Sequence, residues 1–411
     1  MSARRSGTIV VAILAFCLTA AFKWYEHAIS VPVSMRETLG VSTNQPPLPR
    51  VAAVVPDVEM GVKSSVARAS PIISAAAPKD TLKATAKLFG DSTLFSRITS
   101  MLEVGSNLVI TDSRTSPHVF VFNGKNARFV KSMGRQGQGP GEILYPDNIV
   151  PDEKDRNRVW IYDFTQRRFI GLDITGSTKT NNSLTLSLPE GGSLLQPMIR
   201  RGTIISNGLF HDYSLIFVDN TGKPKGKSDL KAPFGPPDVT SRVARRLLNV
   251  STMAYAPTSR DKVVLAYQFK SELDILDLNT GLHTAVTGPR PTKASFSFNK
   301  AGNFEWNADN QQAYLSVTAD DNRIYALFSG RKDNDKVERV SILHVFDWNG
   351  AFLREYAFDR AIGTIAVSSS GTTIYGSVEE PWTAVAEYLL GYFKQAAGVY
   401  AHDLKNAFLW R

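Results

Sequence analysis

Along most of the chain, short apolar runs alternate with polar turns, and one arrangement keeps returning. An apolar strand that ends in Asp or Asn and a turn appears as HVFVFNG from His118, RFIGLDITG from Arg168 and SLIFVDNTG from Ser214. It returns as ELDILDLNTG from Glu272, ILHVFDWNG from Ile342 and, less regularly, GVYAHDLKN from Gly398. The starts are 50, 46, 58, 70 and 56 residues apart. Another strand precedes each copy: NLVITD from Asn107, RVWIYD from Arg158, TIISNG from Thr203, KVVLAY from Lys262, RIYALF from Arg323 and TTIYG from Thr372. The Asp and Asn endings suit turns, because these side chains bond back to the following backbone while glycine takes positive φ. Runs such as Val119-Phe120-Val121-Phe122 suit strands covered on both faces. One such unit is too small to bury both faces alone, and stacking units around an axis buries them all. The pattern therefore predicts an all-β, six-bladed β-propeller of four-stranded blades. A solenoid would need neither six units nor a closing strand, and two successive sandwiches would need a composition break that the chain lacks.

A ring needs a clasp. Thr81–Phe89 (TLKATAKLF) reads as a strand ahead of the first full blade, and it is expected to complete the last blade beside Val399–Asp403. Between the last two strands, Pro381–Ala397 places Val385, Tyr388, Leu389, Tyr392 and Phe393 at helical spacing. That spacing predicts a short inserted helix near 382–397 lying on one end of the propeller, either as cover for an apolar patch or as a lid or docking surface.

The first residues read as an address. Arg4 and Arg5 precede an uncharged apolar stretch, Thr8–Phe22, which is the layout of an export signal. It is short for a membrane span, yet no strong cleavage site follows, so residues 1–29 are read as an export signal or a signal anchor through residues 8–22. Cys17 follows Phe16, a poor fit to a lipidation signal. Residues 30–80, with the QPPLP run at Gln45–Pro49 and an Ala/Ser/Pro-rich stretch, read as a linker. The propeller is expected over 81–411. These features place the protein outside the cytoplasm, periplasmic or extracellular.

Composition narrows the chemistry. With 411 residues, 43% hydrophobic and 21% charged, the chain can build a substantial core. Its net charge of +9 is scattered except at Arg242, Arg245 and Arg246, so nothing marks a nucleic-acid-reading surface. Cys17 is the single cysteine, so neither a disulfide within the chain nor a cysteine-ligated zinc site can form. No cofactor is implied.

The most distinctive segment is GRQGQGPGEILYP at Gly134–Pro146. No Gly-Lys-Ser/Thr follows it, so it is not a phosphate-binding P-loop, and its glycine spacing does not fit a dinucleotide fingerprint. It reads as a tight connection between blades, with Glu142 placed to cap backbone amides. It resembles the G-x-G-x-GPGEF-x-x-P segment of the six-bladed NHL- and TolB-like propellers of bacterial envelopes, with Ile143 where Phe is usual. HVFDWNGAFLREYAFD at His344–Asp359 and AIGTIAVSSSGTTIYG at Ala361–Gly376 are similar to late-blade turns of that family. The resemblance spans about Thr81 to Asp403. It implies the fold and, since most members lack an assigned activity, little about function.

No catalytic motif stands out. The six histidines form no close metal pair, His211-Asp212 suits a solvated loop, and no G-x-S-x-G elbow occurs. Innermost strands are expected to begin near Arg97, Asp147, Gln196, Ser251, Gln312 and Ile362. Loops from all blades converge at a propeller's channel mouth, so Arg97, Arg135, Asp147 and Asn148 are candidate ligand-binding residues there. Arg242, Arg245 and Arg246 share a face at three- and four-residue spacing, a second candidate contact for an anion or acidic partner. For Asp147 the favoured expectation is a turn-capping acid after Pro146. The favoured reading is a non-enzymatic binding or scaffold propeller that takes an envelope protein or a small ligand. The competing reading is a metal-dependent lactonase or lyase, for which this ring supplies few oxygen ligands.

Overall fold

The computed structural model describes residues 80–175, 183–188, 194–208, 214–227, 247–292, 294–299, 304–332, 341–379 and 382–390. The export signal, the linker, His211-Asp212, Arg242, Arg245, Arg246 and Val399–Asp403 lie outside them.

Six antiparallel meanders form the blades. Blade 1 runs Ile98–Val104, Asn107–Asp112, Val119–Asn123 and Phe129–Met133, from the innermost strand outwards. The innermost strands of the next five blades are Pro146–Pro151, Leu194–Arg200, Ser251–Tyr255, Tyr314–Ala319 and Ile365–Val367. The Asp and Asn turn residues act as expected. Asp219 accepts from the Thr221 and Lys223 amides, Asp277 from those of Asn279 and Thr280, and Asp347 from those of Asn349 and Ala351. Beside Asp347, Trp348 is buried and donates its indole N–H to the Asp320 carbonyl.

The core is divided into seams between blades. Val109, Val121 and Ile143 pack against Ile161 and Ile170 between blades 1 and 2. Tyr162 and Phe169 meet Ile204 and Ile216 at the next seam, and Leu215 and Phe217 meet Leu265 and Leu276 at the one after. Blades 4 and 5 share Val264, Ile275, Ile324 and Phe346, and blades 5 and 6 share Tyr325, Leu343, Ile374 and Tyr388. Phe89, Phe120, Phe122, Tyr375 and Val385 close the ring between blades 6 and 1. Each blade thus buries one face on each neighbour, which explains strands that are apolar at successive positions.

The N-terminal strand closes the last blade. Ala84–Phe89 is its outermost strand, antiparallel to Ala384–Leu389, with Phe89 opposite Val385. Just before it, Asp80–Leu82 pairs in parallel with Phe352–Phe358 at the outer edge of blade 5. Asp359 joins the two: its amide donates to the Leu82 carbonyl, and its carboxylate accepts from the Ala84 amide.

Two expectations about the C-terminal region are corrected. The partner of the closing strand is Ala384–Leu389, not Val399–Asp403. The expected helix near 382–397 is a strand over Ala384–Leu389, and residues 391–397 lie outside the described residues. Ala384, Ala386 and Tyr388 face blade 5 while Val385 faces blade 1. A strand buried on both faces gives a continuous apolar run, and such a run also satisfies helical spacing.

Two features position the site. The innermost strands all run the same way, so their first residues share one end of the channel with the blade-to-blade connections. At that end, the first ladders of blades 1, 2, 3 and 5 slip by one residue, at Thr99, at Asp147, between Leu194 and Pro197, and at Leu315. A bulge of this kind re-aims one side chain and bends the strand.

Candidate functional site

Second-strand ends build the frame of the mouth. Asp112 accepts from the Ser96 and Arg97 amides at 2.7 and 2.6 Å, and from the Arg114 and Thr115 amides at 2.8 and 3.1 Å. Asp163 does the same in blade 2, accepting from the Leu144 and Gln166 amides and from the Gln166 side chain. Asn207 accepts from the Gln196 amide and donates to the Ser251 carbonyl in blade 4. These buried side chains are largely consumed by backbone and hold the starts of the innermost strands of blades 1 to 4.

The Gly-rich connection is a second brace. Its glycines clear space for Glu142: a Cβ on Gly137 would lie 2.0 Å from Glu142 Oε2. Glu142 then caps the Gly139 amide at 2.9 Å, as the sequence predicts, and Arg168 donates to the carbonyls of Gly139 and Glu142. Ile143, at the family's Phe position, is fully buried at the seam of blades 1 and 2.

Inside this frame lies the central channel, a cavity of about 590 Å³. Arg97, Thr99, Asp147, Asn148, Gln196, Thr252, Ser316 and Thr364 line it at or near the mouth. Several stitch one blade to the next. The Thr99 hydroxyl donates to the Pro146 carbonyl at 2.7 Å. Asn148 accepts from Ser100 at 3.2 Å and donates to the Pro197 carbonyl at 3.3 Å, so its amide spans blades 1 to 3. Ser316 and Thr364 share a 3.2 Å bond between blades 5 and 6.

Asp147 differs from these. It is 4% exposed, and neither carboxylate oxygen has a hydrogen-bond partner among the described residues. Burial pushes its carboxyl well above the usual carboxylate range; Arg97 pulls the other way, and Asp163 adds to the rise. Arg97 Nη2 and Thr252 Oγ1 are likewise buried without a partner among the described residues. With Arg158 Nη2 towards the far end, four residues lining this cavity carry buried polar atoms without a partner among the described residues, where buried polar groups are ordinarily satisfied.

The far end of the channel is braced instead. Arg260 donates to the Ile199 and Pro151 carbonyls and lies 3.6 Å from Glu153 Oε1, linking blades 4, 3 and 2. Glu153 in turn accepts from the Arg201 and Gly202 amides. Burial lifts Tyr255 beside it to about 12.

Among the described residues, no group of three or more His, Cys, Asp or Glu side chains could hold a metal ion. At the mouth, Asp147 is the one carboxyl among the described lining residues. Three histidines serve elsewhere: His118 Nδ1 is 2.8 Å from the Asp112 carbonyl, His283 is 2.8 Å from Asp274, and His344 contacts Glu355 and Tyr314.

The profile of one family, described as TolB-like 6-blade propeller-like, matches residues 78–370. The chain belongs to this family. Two solved structures resemble this TolB-like propeller. A DUF4221 family member from Bacteroides vulgatus has a TM-score of 0.50 at 12% identity, over 75% of this chain and 97% of its own. A Bacteroides fragilis protein described as exported has a TM-score of 0.49 at 14% identity, over 79% of this chain and 98% of its own. At 12% identity the DUF4221 likeness speaks to fold alone. No curated protein matches the chain significantly.

Of the sequence candidates, the fold brings Arg97, Asp147 and Asn148 onto one cavity. Arg135 is exposed on the Gly-rich connection, where its carbonyl accepts from the Ile143 amide, and it does not line the cavity. Sequence reasoning missed Thr252, which aligning the starts of the innermost strands would have found. It also missed the Arg260 brace, whose partners lie up to 109 residues away.

Proposed function

We propose that this TolB-like propeller is a non-catalytic binding protein of the cell envelope that takes its ligand or partner at the Arg97–Asp147 mouth of the channel. One observation carries the reading: Arg97, Asp147 and Asn148 from neighbouring blades line one end of the channel, and Arg97 and Asp147 carry buried polar atoms without a hydrogen-bond partner among the described residues. Unmatched buried groups carry a desolvation penalty of about 1–3 kcal/mol each, which a ligand with complementary groups would relieve. The surrounding frame is stitched blade to blade, so the site is preformed and needs little ordering on binding. The apolar stretch at residues 8–22 supports export, with the protein periplasmic or extracellular and either released or anchored by its N-terminus. Residues 30–80 would hold the propeller off the membrane.

The test is capture from envelope extract with the full chain, read by mass spectrometry beside an Arg97→Ala/Asp147→Ala double variant. A partner or ligand retained by the native chain and lost by the folded variant is the expected result. Equal retention by both chains would move the site elsewhere. A stoichiometric divalent cation in the purified native protein, with ester or lactone hydrolysis lost in Asp147→Ala, would replace this reading by an enzymatic one.

A further inference from the structure

The outermost strand of a blade points a row of backbone groups out of the sheet, and this chain covers one such edge itself. In blade 5, Asp80–Leu82 pairs in parallel with Tyr356–Phe358, and Asp80 Oδ2 lies 3.4 Å from Arg354 Nε. Blade 1 repeats the outer half of blade 5. In both, the ladder between the third and fourth strands shifts register once, between Val121 and Phe122 and between Val345 and Phe346. Phe129 therefore stands where blade 5 has Phe352, and Lys131 where it has Arg354. Val130 and Leu353 sit at the shift, 50% and 44% exposed, and Phe129 is 46% exposed. Among the described outermost strands, Phe129–Met133 and Phe352–Phe358 alone carry exposed large apolar side chains. The edges of blades 2 and 3 are guarded, by a strand of only three residues at Ser183–Thr185 and by the proline that opens Pro224–Lys227. Phe129–Met133 has neither guard, and among the described residues no strand lies beyond it.

Charge decides what fits this edge. Between Asp112 and Glu142 the chain carries Arg114, Lys125, Arg128, Lys131 and Arg135 and no acidic residue. Lys131 is turned to blade 2, where it donates to the Asp173 carbonyl at 3.1 Å. Arg128 and Arg135 are exposed at the two ends of the strand, and Lys125 is exposed on the turn before it. We propose that the Phe129–Met133 edge of blade 1 docks an extended acidic segment of a partner protein as a fifth strand, at a surface separate from the channel mouth. Backbone hydrogen bonds along the edge hold the segment, and Phe129 and Val130 give it apolar contact. Arg128 and Arg135 select its acidic side chains, as Arg354 meets Asp80 on blade 5. A second copy of this chain does not suit the edge, because two such edges would bring like charges together.

The experiment is binding of the full chain to synthetic peptides of about ten residues, the length of a long strand, that alternate glutamate with valine or threonine. Each peptide is accompanied by a version with lysine in place of glutamate. It is also made in two N-methylated versions, at odd or at even positions, which remove the backbone donors of one strand edge without changing the charge. Acidic peptides are expected to bind and the lysine series not. One of the two N-methylated versions should bind at least about tenfold more weakly, and so should the acidic peptide with folded Arg128→Glu/Arg135→Glu. Raising the salt from about 50 to about 300 mM should weaken binding, because the arginines are exposed. Folded Arg97→Ala/Asp147→Ala should bind the peptides as the native chain does. Equal binding of the lysine series, indifference to both N-methylated versions, loss of binding in the folded mouth variant, or silence from every acidic peptide would overturn the inference. So would tighter binding of phosphatidylglycerol vesicles or polyuridylate than of any peptide, which would make the strip a general polyanion surface. If the charge-reversed variant fails to fold, the N-methylated pair decides the matter on the native chain.

Discussion

Glu355 is held by an arginine and a histidine away from the channel, and removing it tests how blades 4 and 5 are joined. It lies on the outermost strand of blade 5, directly across from His344. Arg290, on the connection out of blade 4, donates Nε at 2.7 Å and Nη2 at 2.9 Å to it, and His344 Nε2 lies 3.0 Å away. On the other side of the imidazole, Nδ1 is 3.1 Å from the Tyr314 hydroxyl, which lies 3.4 Å from Ser271. Burial opposes ionisation of Glu355, but Arg290 and then His344 outweigh it and hold the carboxyl at about 2, against 4.5 when free. The folded value lies below the unfolded one, so this stabilisation is complete above pH 4.5 and is lost as pH falls towards 2. At about 1.4 kcal/mol per unit the full difference is about 3 kcal/mol, and screening at Arg290, a third exposed, trims it to about 2 kcal/mol. Glu355→Gln should lose about that amount at pH 7 in urea or guanidinium unfolding. The gap to wild type should close between pH 4.5 and pH 2. A loss below about 1 kcal/mol, or a gap that does not change with pH, would refute the reasoning, since exposed surface pairs reach about that much.

Two further substitutions probe the frame. Phe89 is fully buried and meets Phe122 and Tyr375 edge-on at 5.8 and 5.6 Å, so Phe89→Ala should cost about 3–5 kcal/mol at the closing seam, measured by thermal unfolding. A Cβ on Gly288 would lie 2.1 Å from the Tyr314 hydroxyl and 2.3 Å from Ser271 Oγ, so Gly288→Ala should destabilise by about 1–3 kcal/mol; an unchanged unfolding midpoint would show that the pair moves aside freely.

Much of the ring is legible in the sequence, because its turns are written in side-chain chemistry. Asp219, Asp277 and Asp347 bond to the backbone two to four residues ahead, so each marks its own strand end. Glu142 is legible for the same reason. The channel is harder to read. Asp147 and its neighbour Asn148 are adjacent polar residues, yet one is left unmatched and the other spans three blades; a register slip in the backbone makes that difference, and no residue type announces it. Arg135 is expected at the channel mouth with Arg97, but it is exposed on the Gly-rich connection and does not line the cavity. The strand at Ala384–Leu389 was misread because burial on two faces erases the period of two that distinguishes a strand.

The double attachment of the N-terminal strand bears on the order of assembly. Thr85, which reaches Glu387, is among the first propeller residues to be made, and its partner comes 302 residues later. At about 5–20 residues per second, that interval is about 15–60 s of synthesis. Throughout it the apolar sides of Phe89 and Phe95 have no blade 6 to cover them. The growing chain is an unfinished arc with two sticky ends, vulnerable to pairing with another arc. A protein built this way gains from being kept extended until its last strand has been delivered, and threading through an export channel before folding would do that.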